Sequence, residues 1–255
     1  METIKIFLSD PQVLFREGMH FTLSGEDDFE VIGESTGNEE AFAEIESNPP
    51  NIAVLSFRDS KIDGSMTAQR IKRNFPSISV VLVLEKDNAE QIFIAMKSGA
   101  IACINKDIDP DYLLELLRVI SQGSQPIIDS LLMPDLATMV LKYFQDLVEL
   151  DEQLENMLAR LSPGEVGTLG CIADGNNLEQ CITKLNTTEG TMRGQMRGIV
   201  SKLVANEQAR SLILASQRGM NSLLSGSPIG VKLAEYVTKQ EFNEFKEQLM
   251  ERLKS

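Results

Sequence analysis

The first half of the chain is predicted to be α/β, a five-stranded, doubly wound parallel sheet, and the second half all-α. Three observations predict this. Apolar runs alternate five times with helical stretches over residues 1–122, several of the runs rich in Val and Ile as in strands buried on both faces. Breakers sit at the switches, among them Asn48-Pro49-Pro50, Asp63-Gly64, Phe75-Pro76 and Ser98-Gly99. After a short polar break at 122–125 the strand pattern stops and everything downstream has helical period.

Taken in order, strands are predicted at 4–8, 29–33, 52–55, 78–84 and 101–104. Helices are predicted between and after them at 13–23, 39–46, 67–74, 91–97 and 111–120. Five βα units place helices on both faces of the sheet, and any site belongs at the carboxyl ends of the strands near the topological switch point.

Residues 125–160 read as a linker helix. Met133, Ala137, Val140, Phe144, Leu147, Asp151, Leu154, Leu158 and Leu161 form a heptad seam interrupted once, by Asp151. Such a seam packs either on its own chain or on a second copy, where two Asp151 carboxylates would face each other. Residues 161–215 divide into helices at 163–173, 178–185, 188–203 and 206–215, separated by Asp174-Gly175-Asn176-Asn177 and Asn186-Thr187. Ser162, Pro163 and Glu165 form a helix start. The Ser- and Gly-rich 216–230 reads as a flexible linker. A last amphipathic helix follows, with Thr238 and Glu241 as a capping box and Phe242, Phe245, Leu249 and Leu253 on one face.

Composition narrows the function. The 255 residues are 42% hydrophobic and 24% charged, and no run approaches the ~18–20 apolar residues of a membrane span. With no signal core at the start, the expected location is cytoplasmic. Cys103, Cys171 and Cys181 fit neither a disulfide framework nor zinc spacing, and a single histidine, His20, argues against His-based catalysis or multi-His metal sites. No cofactor is expected, and no nucleophile–base pair appears, so the chain does not read as an enzyme. The net charge of −14 seems to oppose nucleic acid, but the acidity is local. Residues 1–124 carry 11 basic against 21 acidic side chains, whereas 161–215 balance at five each.

The segments IKIFLSDPQVLFREGM, PPNIAVLSFRDSKIDG and MKSGAIACINKD resemble the first strand and helix, the third strand and loop, and the fifth strand of a bacterial response-regulator receiver of CheY-like fold. The stretch 161–203 resembles, without a gap, the LuxR-type helix-turn-helix of the NarL/FixJ output class, in agreement at Leu161, Ser162, Pro163, Glu165, Leu169, Ile172, Ala173, Gly175, Leu185, Thr191, Ile199, Lys202 and Leu203. The resemblance implies a receiver-like domain at 1–124, a linker helix at 125–160, a DNA-binding domain at 161–215 and an extra tail at 216–255.

It also implies a dismantled phosphorylation site. The acidic pair aligns to Asp10 and Pro11, the acceptor aspartate to Ser56 and the phosphate-reading hydroxyl to Leu84, while Lys106 is retained and the aromatic expected near it is Cys103. Asp59 and Asp63 lie in the following loop and read as solvated acids. Serine cannot form an acyl phosphate, so a pseudo-receiver is expected, free to dimerise, to bind a small molecule or partner protein, or to remain as a fixed packing fold.

On the output side, the resemblance assigns base and backbone contacts to Thr191, Arg193, Gly194, Arg197 and Lys202. Arg193 and Arg197 share a helix face and suit guanine edges, and Lys202 suits phosphate. Gly190, Gly194 and Gly198 recur every four residues, for close approach either to DNA or to another helix. The expectation is a phosphorylation-independent transcription regulator that binds double-stranded DNA as a homodimer on an inverted repeat. The alternative is a protein-interaction module that has lost DNA.

Overall fold

The computed structural model describes residues 3–57, 64–86, 88–148 and 158–225. Five strands, β1 (Ile4–Ser9), β2 (Phe29–Ser35), β3 (Ile52–Ser56), β4 (Ser79–Leu84) and β5 (Ala102–Asn105), form one parallel sheet in the order β2-β1-β3-β4-β5. Helices α1 (Val13–Ser24), α2 (Asn38–Ser47), α3 (Gly64–Asn74), α4 (Ala89–Ser98) and α5 (Pro110–Ser121) connect and follow them.

Side-chain alternation along each strand feeds two cores. Ile6, Leu8, Val54 and Val81 meet Met19 and Leu23 of α1 and Leu113 and Leu117 of α5. Phe7, Ala53, Leu55 and Leu82 meet residues of α2, α3 and α4 on the opposite face. The strand order reverses between β1 and β3, so the crevice of this sheet opens where Asp10 and Ser56 end those strands. The doubly wound fold is as predicted.

The helical half departs from expectation in three places. Residues 126–132, read as the start of a linker helix, form a 3-10 helix (Pro126–Leu132) before α6 (Pro134–Val148). The seam predicts helix through Leu161, but 158–161 is irregular, and Asp151 lies outside the described residues. Ala137, Val140, Phe144 and Leu147 of that seam are buried within the chain, α6 packing on α4 and on α7 (Pro163–Ala173).

The third departure follows α8 (Leu178–Lys184). One helix, α9 (Glu189–Ser225), spans 37 residues where two helices and the start of a linker are predicted. The break assigned before Asn206 does not form. Asn206 is buried in mid-helix, where its amide accepts from Ala159 N (2.7 Å) and donates to Ala159 O (2.9 Å), fastening the 158–161 segment to α9. With its side chain bonded to a distant segment, Asn206 has no local partner with which to end the helix. The predicted helix beginning near Thr238 lies outside the described residues.

Helix α9 rests against α4 and the 3-10 helix. Lys97 Nζ lies 3.4 Å from Glu207 Oε2, and the Tyr143 hydroxyl donates to the same carboxylate at 3.5 Å. Burial, with Glu207 alongside, pushes the Tyr143 phenol up to about 12. Cys171 and Cys181 are buried core residues, and burial followed by contact with Cys171 pushes the Cys181 thiol up to about 12.

Candidate functional site

At the switch point the residues form a closed polar network. Asp10 follows β1 and is fully buried; Gln12 N donates to its Oδ1 at 2.7 Å. Lys106, just past β5, brings its ammonium 2.9 Å from Oδ1 along a directed hydrogen bond. It lies 2.8 Å from Oδ2, which has the ion pair alone. Arg16 donates to the Asp10 carbonyl at 2.8 Å and to Glu34 Oε2 at 3.0 Å, and His20 pairs with the other oxygen of Glu34.

Ser56 is buried, and its carbonyl accepts from Asn38 Nδ2 at 3.0 Å. Asn38 is itself fully buried at the start of α2, and its Oδ1 accepts from Ser9 Oγ at 3.2 Å. Leu84, at the end of β4, puts a buried hydrocarbon where the resemblance expects a hydroxyl. Asp59 and Asp63 lie outside the described residues.

This donor set does not fit the divalent cation that a phosphorylatable site needs. Hard cations take six or so oxygens, with carboxylates prominent among them. Here Asp10 is the one carboxylate of the acidic pair, and the Lys106 ammonium already neutralises it. Among the described residues, no group of three His, Cys, Asp or Glu is placed to hold a metal.

The second constellation is the helix-turn-helix. A capping box starts α7: Glu165 N donates to Ser162 Oγ at 3.3 Å and Ser162 N donates to Glu165 Oε2 at 2.6 Å. A second box, Asn177 with Gln180, starts α8. The turns between the helices use Gly175 (φ 84°) and Asn186 (φ 48°), the residue types that tolerate left-handed backbone.

Helix α9 then exposes Gly190, Thr191, Gly194, Arg197 and Ser201 along one side. Thr191, Gly194 and Arg197 of the predicted contact set thus come together on one surface. Arg193 is engaged within the chain: it lies 2.6 Å from Asp129 of the 3-10 helix and 2.8 Å from Glu189. Glu189 first, then Asp129, hold its guanidinium further toward the charged form. Lys202 is turned inward onto Glu165 Oε2 at 2.5 Å, so it does not join that surface.

The glycine stripe divides in the same way. A Cβ on Gly198 would sit 2.6 Å from Glu165 Oε1, whereas Gly190 and Gly194 have open space. Sequence spacing identifies the stripe; only the fold separates the packing glycine from the two exposed ones.

Glu165 also sets an acid limit. Burial raises its pKa, but Lys202 and Ser162 outweigh this and hold the carboxyl below its ordinary value. A depressed folded pKa stabilises the fold above the unfolded value of ~4.3 and loses that contribution as pH falls through the folded one. Acid unfolding monitored by circular dichroism is therefore expected to steepen below about pH 4, and Glu165→Gln is expected to flatten that limb.

Residues 6–118 match the family model described as the response regulator receiver domain. The chain is 24% identical over 227 residues to the transcriptional regulatory protein DegU of Brevibacillus brevis, covering 85% of this chain and 94% of that one. It is 25% identical over 224 residues to the transcriptional regulatory protein LnrK of Bacillus subtilis, covering 86% and 99%. Among solved structures it resembles the Salmonella typhimurium RcsB response regulator, with 19% identity, 80% of this chain and 93% of that chain covered, and a TM-score of 0.45. No helix among the described residues is long and apolar enough to cross a membrane.

Proposed function

We propose that this chain, whose residues 6–118 match the receiver-domain model and which aligns along most of its length with transcriptional regulatory proteins, is a response regulator that binds double-stranded DNA as a homodimer on an inverted repeat without aspartyl phosphorylation. The observation that carries the reading is the exposed face of α9. Thr191, Gly194 and Arg197 line one side of a helix that packs on two capped helices. A recognition helix needs that form to enter a major groove. Arg197 supplies the base contact, and Gly194 lets the backbone approach.

Phosphorylation independence is supported by the Lys106–Asp10 ion pair. Lysine, which in a working receiver would meet phosphate, here neutralises the one acid left. The inward-turned Lys202 and the paired Arg193 favour a second reading, the interaction module, because both supply cations to the protein itself. On the DNA reading, Arg193 exchanges Asp129 for the duplex when the helix engages.

Two variants separate these readings. Arg197→Ala is expected to weaken specific binding, measured by fluorescence anisotropy, by about 10- to 100-fold and to relax sequence preference at one position. Asp129→Ala frees Arg193 from an exposed ion pair worth ~0.2–1 kcal/mol and is expected to tighten binding up to about fivefold. Affinity must also fall steeply with salt. Binding that is weak, insensitive to salt and indifferent to both substitutions favours the interaction module.

A further inference from the structure

An apolar groove lies between α6 and the helix-turn-helix. It is lined by Leu141, Phe144 and Leu147 of α6, Leu158 and Leu161 of the irregular segment and Val166 of α7, around a volume of about 220 Å³. Val166 is 45% exposed, and Leu141, Leu158 and Leu161 are half-buried, so all three segments leave hydrocarbon in water. The tail of the chain carries what such a groove takes. Phe242, Phe245, Leu249 and Leu253 share one face of the helix predicted from Thr238. A helix of that length is marginal in water without a partner for its apolar face.

We infer that this tail helix docks in the groove of its own chain and straps α7 to α6. Recognition of a helix by a groove uses apolar anchors at spacings such as i, i+3 and i+7, and Phe242, Phe245 and Leu249 have that spacing. These anchors span about 10 Å of helix, against about 9 Å from Leu141 to Leu147 on α6. Residues 149–157, which connect two of the lining segments, offer two leucines and one methionine among four acids. They have no aromatic ring to fill the volume, whereas the tail has two on one face.

The length of the chain allows the return. Asn206 of α9 is bonded to Ala159, beside Leu158 of the groove, and α9 ends at Ser225, about 28 Å further along. Residues 226–237 can extend to about 40 Å, enough to bring Thr238 back to the groove. Tethered in this way, the tail meets the groove at an effective concentration of about 1 mM. An intrinsic dissociation constant of about 0.1 mM then keeps it docked about nine-tenths of the time. The tail of another copy, at micromolar concentration, is about a thousandfold more dilute, which favours the same chain.

The inference goes beyond the DNA reading and is tested without DNA. The chain has no tryptophan, so Phe245→Trp in the full chain places a single fluorescent reporter on the tail. The expected result is blue-shifted emission, shielded from iodide. Adding Leu249→Glu on the tail, or Val166→Glu in the groove, puts a charge against hydrocarbon and is expected to weaken docking about 100-fold. The docked fraction then falls to about one-tenth and the emission moves to the red. Leu14→Glu, on the exposed face of α1, is the control and is expected to change nothing. Leu249→Glu lies on the tail, so its effect does not depend on the folding of the groove. Red emission from Phe245→Trp alone, or blue emission that survives both glutamates, overturns the inference. A last mixture tests the same-chain assignment: the reporter chain with Val166→Glu is combined with an excess of Leu249→Glu chain, whose groove its own tail does not fill. The emission is expected to stay red, and a return to blue would place the tail on a second copy instead.

Discussion

Lys106→Met is expected to lower the unfolding free energy by about 3–5 kcal/mol, the largest loss for any single substitution considered. The cause is the burial of Asp10. With the ammonium gone, the carboxylate stays inside the protein with Gln12 N as its remaining directed hydrogen bond. An unpaired charge in that position is far more costly than the pair is stabilising. Adding Asp10→Asn removes the charge and keeps an acceptor for Gln12 N, so the double variant is expected to recover most of the loss. Urea unfolding of the four proteins measures both effects as a double-mutant cycle. If Lys106→Met alone costs less than about 1 kcal/mol, the ammonium does not hold the buried Asp10 carboxylate as argued.

Gly198→Ala and Gly194→Ala are expected to shift stability in opposite directions, although the residues stand one turn apart on the same helix. A methyl on Gly198 meets the Glu165 carboxylate, which cannot yield freely because Lys202 and Ser162 N both hold it. That overpacking is expected to cost about 1–3 kcal/mol, beyond the ~1 kcal/mol that alanine gains as a better helix former. At Gly194 the methyl enters open space, and the helix gain of up to about 1 kcal/mol is expected to appear undiminished. Thermal midpoints compare the two directly. DNA affinity adds a second result: if Gly194 serves close approach to the duplex, Gly194→Ala is expected to be more stable and to bind more weakly.

The parts of this molecule legible in sequence are those set by neighbours along the chain. The βα alternation, the Ser162–Glu165 capping box, the turns at Gly175 and Asn186, and the inward face of α6 all follow from local pattern, and the structure has each of them. The contacts that decide the site join distant residues. Asp10 and Lys106 are 96 apart, Arg193 and Asp129 are 64 apart, and Glu165 and Lys202 are 37 apart. Asn38 had no signal at all, since its partners Ser9 and Ser56 reach it only when three strand ends converge. The break predicted before Asn206 fails for the same reason, since the Asn206 amide is bonded to distant Ala159 and the helix runs on.

Arg193 shows how placement changes the meaning of a residue. Its spacing from Arg197 suggests two reading side chains on one face, and the fold gives one exposed arginine and one held by an acid of the 3-10 helix. The region before α6, read as plain linker, thereby gains a part in the proposed regulation of DNA access.

The central claim, that the chain reads DNA without aspartyl phosphorylation, is tested most directly by selecting duplexes from a random-sequence pool with the purified full chain and no phosphodonor. The account predicts enrichment of an inverted repeat whose half-sites lie about one helical turn apart or a multiple of it, unchanged when acetyl phosphate is added. No enrichment even at low salt, or enrichment that requires the phosphodonor, would contradict it.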